Sequence, residues 1–189
     1  CTQGNKMKSK LYVARATGRV LLGAALAMNG FTYSAFAADV LPTGGNFVAG
    51  SGSIATSGAA LAITQNGATG IINWDGFSVG AGHAVNINNG AGATLNRVTG
   101  ADLSQIDGLL TSTGSTYLIN PNGIVVGAGG EIITGGAFVA STRDISNEDF
   151  LNGGSMAFGG SSDGSIVNAG TIVSEHGDVV LIGRSCLLY

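Results

Sequence analysis

The sequence predicts an all-β fold, and three observations carry that expectation. First, "SIAT", "ALAITQ", "IINW", "FSVG", "AVNIN", "TYLIN", "GIVVG" and "SIVNAGTIV" follow one another from Ser53 onward as short stretches that mix apolar with small polar residues. Second, each is bounded by Gly, Asn, Asp or Ser. Asn-Gly begins at Asn66, Asn89, Asn122 and Asn152, and Asp-Gly at Asp75, Asp107 and Asp163. These dipeptides suit tight turns, because the Asx side chain bonds nearby backbone and glycine tolerates positive φ. Third, beyond residue 37 no window of about eleven residues sustains the i, i+3, i+4 apolar repeat of an amphipathic helix.

In chain order, Lys8, Lys10, Arg15 and Arg19 precede the apolar run "VLLGAALAM", Val20 to Met28, and the small-residue triplet Ala35-Phe36-Ala37 follows. That is the layout of a secretory leader, cleaved near Ala37 and Ala38. A membrane span needs roughly 20 apolar residues, and Asn29-Gly30 interrupts this run first. Residues 1–37 are therefore read as leader, with "CTQGNK" ahead of Met7 suggesting no function, and residues 38–184 as one domain. "SCLLY", residues 185–189, does not continue the pattern and is expected to lie outside that domain as a truncation tail.

Cutting at residue 37 leaves 152 residues, enough for one domain with its own core. It also changes the charge balance. Only Arg97, Arg143 and Arg184 remain as cations against eleven acidic residues, a net charge of −8. Contacts to a polyanion need clustered Lys and Arg, so nucleic acid is excluded as a partner. Cys186 would be the sole cysteine, so no internal disulfide is available. With Gly at 33 residues, Pro at 2 and apolar residues at 44%, the chain is too hydrophobic for disorder and lacks the strict period of collagen.

Two all-β arrangements fit these strands. Asn-Gly is a strong hairpin signal and suits an antiparallel sandwich. A parallel β-helix instead stacks coils of roughly 20 residues, with rows of Ala, Ile, Val and Leu inside and Gly, Ser, Thr and Asn at the corners. The small, uncharged composition leans toward the coil, but successive Asn-Gly spacings of 23, 33 and 30 residues are too uneven to count coils. One departure from β structure is expected: "RDISNEDFLNGG", Arg143 to Gly154, has room for one or two helical turns ended by Asn152-Gly153.

The sharpest corner is in "YLINPNGIVVGAGGEI". A type I turn favours Asn first, Pro second and Gly fourth, as Asn120, Pro121, Asn122 and Gly123 fall. Pro121 sets one dihedral in advance, both asparagines can bond nearby backbone, and Gly123 removes a side chain at the turn's end.

Four blocks then carry a family resemblance. "IINWDGFSVGAGHAVNI" (71–87), "NRVTGADLSQIDGLL" (96–110), "TYLINPNGIVVGAGGEI" and "GAFVASTRDISNEDFLNG" together closely resemble the N-terminal secretion domain of filamentous-haemagglutinin-like exoproteins, the TpsA-type passengers of two-partner secretion. The resemblance implies a right-handed parallel β-helix with extra-helical strands. It implies recognition by an outer-membrane TpsB barrel of the Omp85 type carrying periplasmic POTRA modules. Export would run through the periplasm of a Gram-negative cell to its surface or the medium, and the expected state is a monomer. Asn120, Pro121, Asn122, Gly123 and Ile124 match the family's Asn-Pro-Asn-Gly-Ile element fully. Its second element, Asn-Pro-Asn-Leu in some members, has no literal copy; Asn96, Arg97, Val98, Thr99 and Gly100 stand as the equivalent form.

The remaining candidates are weighed one by one. Trp74 and Phe77, lone aromatics among small residues, are expected to fill the core or cap the coil; as a platform for host glycans they would instead support a haemagglutinin-type adhesin surface. His83 and His176 lack a third ligand at zinc spacing, and no metal or other cofactor is expected. "GSSDG", Gly160 to Gly164, matches Gly-x-Ser-x-Gly, but that elbow needs a helix after Ser162 and "SIVNAG" follows. "GAGG", Gly127 to Gly130, lacks the Lys-Ser/Thr of a phosphate loop. Asp144, Glu148 and Asp149 lack the repeats of a calcium-binding coil. No catalytic group emerges, and the chain reads as the start of a large exported adhesin or exoprotein whose domain nucleates folding of the coils that follow.

Overall fold

The computed structural model describes residues 10–14 and 41–189. Most of the predicted leader, including the apolar run and Ala35, Ala37 and Ala38, lies outside the described residues; Lys10–Ala14 lies within them. In chain order the strands are β1 (Lys10–Ala14), β2 (Asn46–Ala49), β3 (Gly52–Ser57), β4 (Ala60–Gln65), β5 (Thr69–Trp74), β6 (Ala84–Asn88), β7 (Ala93–Val98), β8 (Ser104–Ile106) and β9 (Leu109–Ser112). They continue with β10 (Ser115–Ile119), β11 (Ile124–Val126), β12 (Glu131–Thr134) and β13 (Phe138–Ser141), then one helix, α1 (Asn147–Asn152). The last are β14 (Ser165–Asn168), β15 (Thr171–Ser174), β16 (Val179–Gly183) and β17 (Ser185–Leu188).

The strands stack as a right-handed parallel β-helix of about five turns, with three sheets along its sides. The first sheet runs β15-β12-β9-β6-β4-β3, the second β1-β16-β13-β10-β7-β5-β2, and the third β17-β14-β11-β8. Each complete coil gives one strand to each sheet, as in β6-β7-β8 and β9-β10-β11. Every coil-to-coil pairing is parallel. The antiparallel sandwich is thereby excluded. Among the described residues, antiparallel strand pairs stand at the ends of the coil: β2 on β5 and β3 on β4 at one end, and β1 on β16 at the other.

Ala60, Ala84, Leu109, Glu131 and Thr171 lie one above another in the first sheet, steps of 24, 25, 22 and 40 residues. Inward rows follow from that register. Leu61, Val85, Leu110, Ile132 and Ile172 form one row, and its first four members are at most 2% exposed. Burying each such side chain contributes about 1.5–3 kcal/mol. Facing rows in the other sheets, Ile72, Leu118 and Leu181 in one and Ile124 and Ile166 in the other, complete a single core. The Asn-Gly and Asp-Gly pairs at 66, 75, 89, 107 and 122 sit at corners between sheets, which is why their spacing does not report a hairpin.

The long final step contains an excursion, residues 142–164, that leaves the coil after β13 and returns at β14. It folds over the outer face of the second sheet, where Ile145 and Phe150 pack on Ile71, Leu95 and Ile119. The part of that sheet formed by β5, β7 and β10 is thus covered on both faces, which is why apolar residues such as Ile71 and Ile72, or Leu118 and Ile119, fall next to each other there where a half-exposed sheet would alternate. Helix α1 forms as the sequence predicts: Ser146 caps it by accepting from the Asp149 amide at 3.0 Å, and Gly153 ends it at φ 66°.

Ser185–Leu188 corrects one expectation. The segment read as falling outside the pattern is β17, paired in parallel with β14 so that Cys186 stacks on Ile166. Of its residues only Cys186 packs on the core, too little to stand out as a strand in sequence.

Candidate functional site

The two predicted stretches meet at one corner. Asn120 follows β10 and is fully buried; Pro121 and Asn122 are exposed. The Gly123 amide donates to the Asn120 carbonyl at 3.1 Å, closing the four-residue turn. No non-glycine residue among those described has positive φ, which excludes the type II alternative with its positive φ at Asn122. The Asn120 carboxamide works in both directions. Its Oδ1 accepts from the Asn122 amide at 2.9 Å, and its Nδ2 donates to the Asp102 carbonyl at 2.9 Å and to Ser104 Oγ at 3.0 Å. Asn122 Nδ2 donates to the Gly100 carbonyl at 2.8 Å.

Contacts also run to the coil on the other side. The Ser162 hydroxyl donates to the Pro121 carbonyl and itself accepts from the Gly164 amide at 2.9 Å. Gly123 has φ 122°, a conformation that favours glycine, and a Cβ there would stand a tight 3.2 Å from the Ser165 carbonyl oxygen. Ile124 then enters the core under Ile166. One corner therefore ties three successive coils through donors that water would otherwise satisfy.

In the other stretch the side chains alternate in role because β7 alternates in direction. Asn96 points inward, fully buried, and its Oδ1 accepts from the Trp74 indole Nε1–H at 3.1 Å. Val98 is also in the core. Arg97 points outward with only 13% of its side chain exposed, donating to Asp144 Oδ1 at 2.9 Å, Asn147 Oδ1 at 2.7 Å and the Ile145 carbonyl at 2.6 Å. Thr99 Oγ1 donates to the Trp74 carbonyl at 2.9 Å. Gly100 fits because a Cβ there would lie 2.0 Å from the Asp75 carbonyl oxygen.

Trp74 and Phe77 are each 1% exposed, packed edge to face with centroids 5.5 Å apart, and Trp74 is covered by Gly45. Neither offers a ring face to a sugar, which corrects the glycan-contact role set against their core role. The other side-chain candidates have structural explanations. Ser162 serves a turn. Asp144 pairs with Arg97, while Glu148 and Asp149 occupy the first turn of α1, where negative charge is favoured. Among the described residues no group of three His, Cys, Asp or Glu is placed to hold a metal, and no helix is long and apolar enough to cross a membrane.

A second polar corner went unnoticed in the sequence. Asn89, buried between β6 and β7, accepts at Oδ1 from the Gly114 amide at 2.7 Å and donates from Nδ2 to Thr94 Oγ1 and the Ser115 carbonyl, both at 2.9 Å. Thr94 in turn donates to Gln65 Oε1 at 2.8 Å. The only signal for it was an Asn-Gly pair that resembled every other turn.

A sequence profile described as "TPS secretion domain" matches residues 38–187. This chain belongs to the TPS secretion domain family. The TPS domain is similar to the heme/hemopexin-binding protein of Haemophilus influenzae, 34% identical over 148 residues. That match takes in 76% of this chain and 16% of the relative. It is also similar to the crystal structure of the HMW1 secretion domain from Haemophilus influenzae, with a TM-score of 0.61 and 35% identity over 68% of this chain and 35% of that one. The chain thus spans a small part of each relative, and what it carries is the secretion domain of a TpsA-type exoprotein.

Proposed function

We propose that this TPS domain is the recognition and folding-start element of a large exoprotein exported through the periplasm of a Gram-negative cell to its surface or the medium. A TpsB barrel of the Omp85 type, with periplasmic POTRA modules, receives it. The observation that carries this reading is the Asn120–Ile124 corner, whose asparagine side chains bind the coil before it and whose Pro121 carbonyl and Ile124 side chain meet the coil after it. Its turn is closed by local contacts, so it is shaped before the distant strands assemble, and parallel coils then add along the axis by nearest-neighbour pairing. Folding outside the cell would oppose backsliding. Among the described residues no strand pairs with the outer edges of β2 and β3, where a POTRA module would add a strand.

The domain has no catalytic part in this reading. The test is binding of the purified full chain to the isolated POTRA modules of its matching barrel. Saturable binding that is lost on replacing Asn120 and Asn122 together by alanine supports the reading. No binding, or binding equal to that of the modules from an unrelated barrel, overturns it.

A further inference from the structure

The excursion is closed on itself. The Asp144 amide donates to the Gly159 carbonyl at 2.9 Å and the Gly159 amide returns a bond to the Asp144 carbonyl at 2.8 Å, so residues 145–158 form a loop whose ends meet. Compact surface loops with touching ends pack on their own side chains. Here Ile145, Phe150, Met156 and Phe158 do so, and the same residues cover Ile71, Leu95 and Ile119 on the second sheet. Phe150 meets Tyr117 edge to face at 5.1 Å. Almost no backbone hydrogen bond ties this loop to the coil; the sheet ladders run past it beneath.

Three polar pins hold it instead: an exposed ion pair from Arg184 to Asp163, and two that come from the two stretches singled out in the sequence. Arg97 takes three acceptors at the loop's start, on Asp144, Ile145 and Asn147. The Pro121 carbonyl takes the Ser162 hydroxyl just beyond the loop's end, next to Gly160 at φ 100°, a conformation open to glycine. We propose that residues 144–162 are a separately opening cover, and that Arg97 and Ser162 are the positioning residues that keep it shut over the apolar strip of the second sheet. Both secretion stretches then act on one moving part. The strip is built from β5, β7 and β10, all N-terminal to the cover, so it is complete before the cover's residues leave a pore that threads the chain from its N-terminus. Arg97 touches no transport partner itself; it sets whether the strip faces water.

The inference rests on the secretion-domain reading only in calling these stretches export elements. Its test uses no transporter, so the failure of one is distinguishable from the failure of the other. Amide hydrogen exchange is measured on the full chain and on Arg97→Ala, Asp144→Asn and Ser162→Ala. Removing charge-assisted bonds from a locally opening unit should speed exchange across 145–158 roughly tenfold or more in Arg97→Ala, and less in the other two, with β9, β12 and β15 unchanged. Binding of an apolar dye should rise in the same order. Exchange that speeds equally throughout the coils, or nowhere, overturns the proposal. Should Arg97→Ala fail to fold, Asp144→Asn and Ser162→Ala decide alone: confined loss over 145–158 supports the cover, and any other pattern defeats it.

Discussion

The side-chain amide of Asn122 donates to the carbonyl of Gly100 at 2.8 Å, joining the turn after β10 to the stretch after β7 in the neighbouring coil. Asn120 makes the parallel contact to Asp102 and Ser104. The two differ in burial, since Asn120 is fully buried and Asn122 exposed. A buried donor or acceptor left without its partner costs about 1–3 kcal/mol, whereas an exposed one is resatisfied by water. Asn120→Ala should therefore lower unfolding free energy by about 2–4 kcal/mol and Asn122→Ala by about 1 kcal/mol or less. Denaturant midpoints with unchanged slope measure both; equal effects would show that the burial difference does not decide the cost.

Asn96 and Trp74 test the interior in the same way. Asn96→Ala strands the indole N–H in a dry core, while Trp74→Phe removes the donor but leaves Asn96 able to keep its long bond, 3.4 Å, to the Tyr117 carbonyl. A double-mutant cycle should give a coupling of about 1–2 kcal/mol. A coupling near zero would mean the 3.1 Å contact does not contribute.

Glycine placement makes a sharper contrast. Gly100→Ala drives a methyl to 2.0 Å from the Asp75 carbonyl, a rigid backbone atom, whereas Gly58→Ala meets nothing within 4 Å and strains only its φ of 57°. The first should cost about 3 kcal/mol or more and the second about 1–2 kcal/mol. Thermal melts of both variants decide it, and reversal of that order would refute the close coil-to-coil approach at Gly100.

Stability should fall at alkaline pH. Burial raises both the Tyr117 phenol and the Cys186 thiol above their ordinary values, the latter partly offset by a backbone hydrogen bond at Gly183. Groups raised on folding bind protons more tightly in the folded state, so their contribution is fully present below the unfolded values and is lost as pH climbs through the folded ones. With ordinary values of 9.0 for the thiol and 10.0 for the phenol, denaturant midpoints should hold steady to about pH 8 and decline above it. Tyr117→Phe should flatten the upper part of that decline; an unaltered profile in this variant would remove the phenol from the explanation.

What the sequence could reveal follows from how local each feature is. The corner at 120–123 was legible because its turn is closed by residues within the turn. Helix α1 was legible because its cap and its terminating glycine are adjacent in sequence. The coil step was not, because the inward rows of the first sheet change from Leu61 and Ile63 to Ile132 and Thr134, and a corner Asn-Gly gives no register. Arg97 was found as part of a motif, but its role was not, since its acceptors lie 47 to 50 residues further on. Asn89 and Asn96 were hidden by a general rule. Hydrophobic pattern ranks asparagine as surface, and only the fold supplies the partners that let these two stay inside.

Export itself is the most direct test of the account. The full chain is expressed in a Gram-negative host with and without its matching outer-membrane barrel, and the amount reaching the medium or cell surface is compared. The account predicts appearance outside only when the barrel is present, with the chain otherwise retained and degraded in the periplasm. Equal amounts outside in both cases would contradict it.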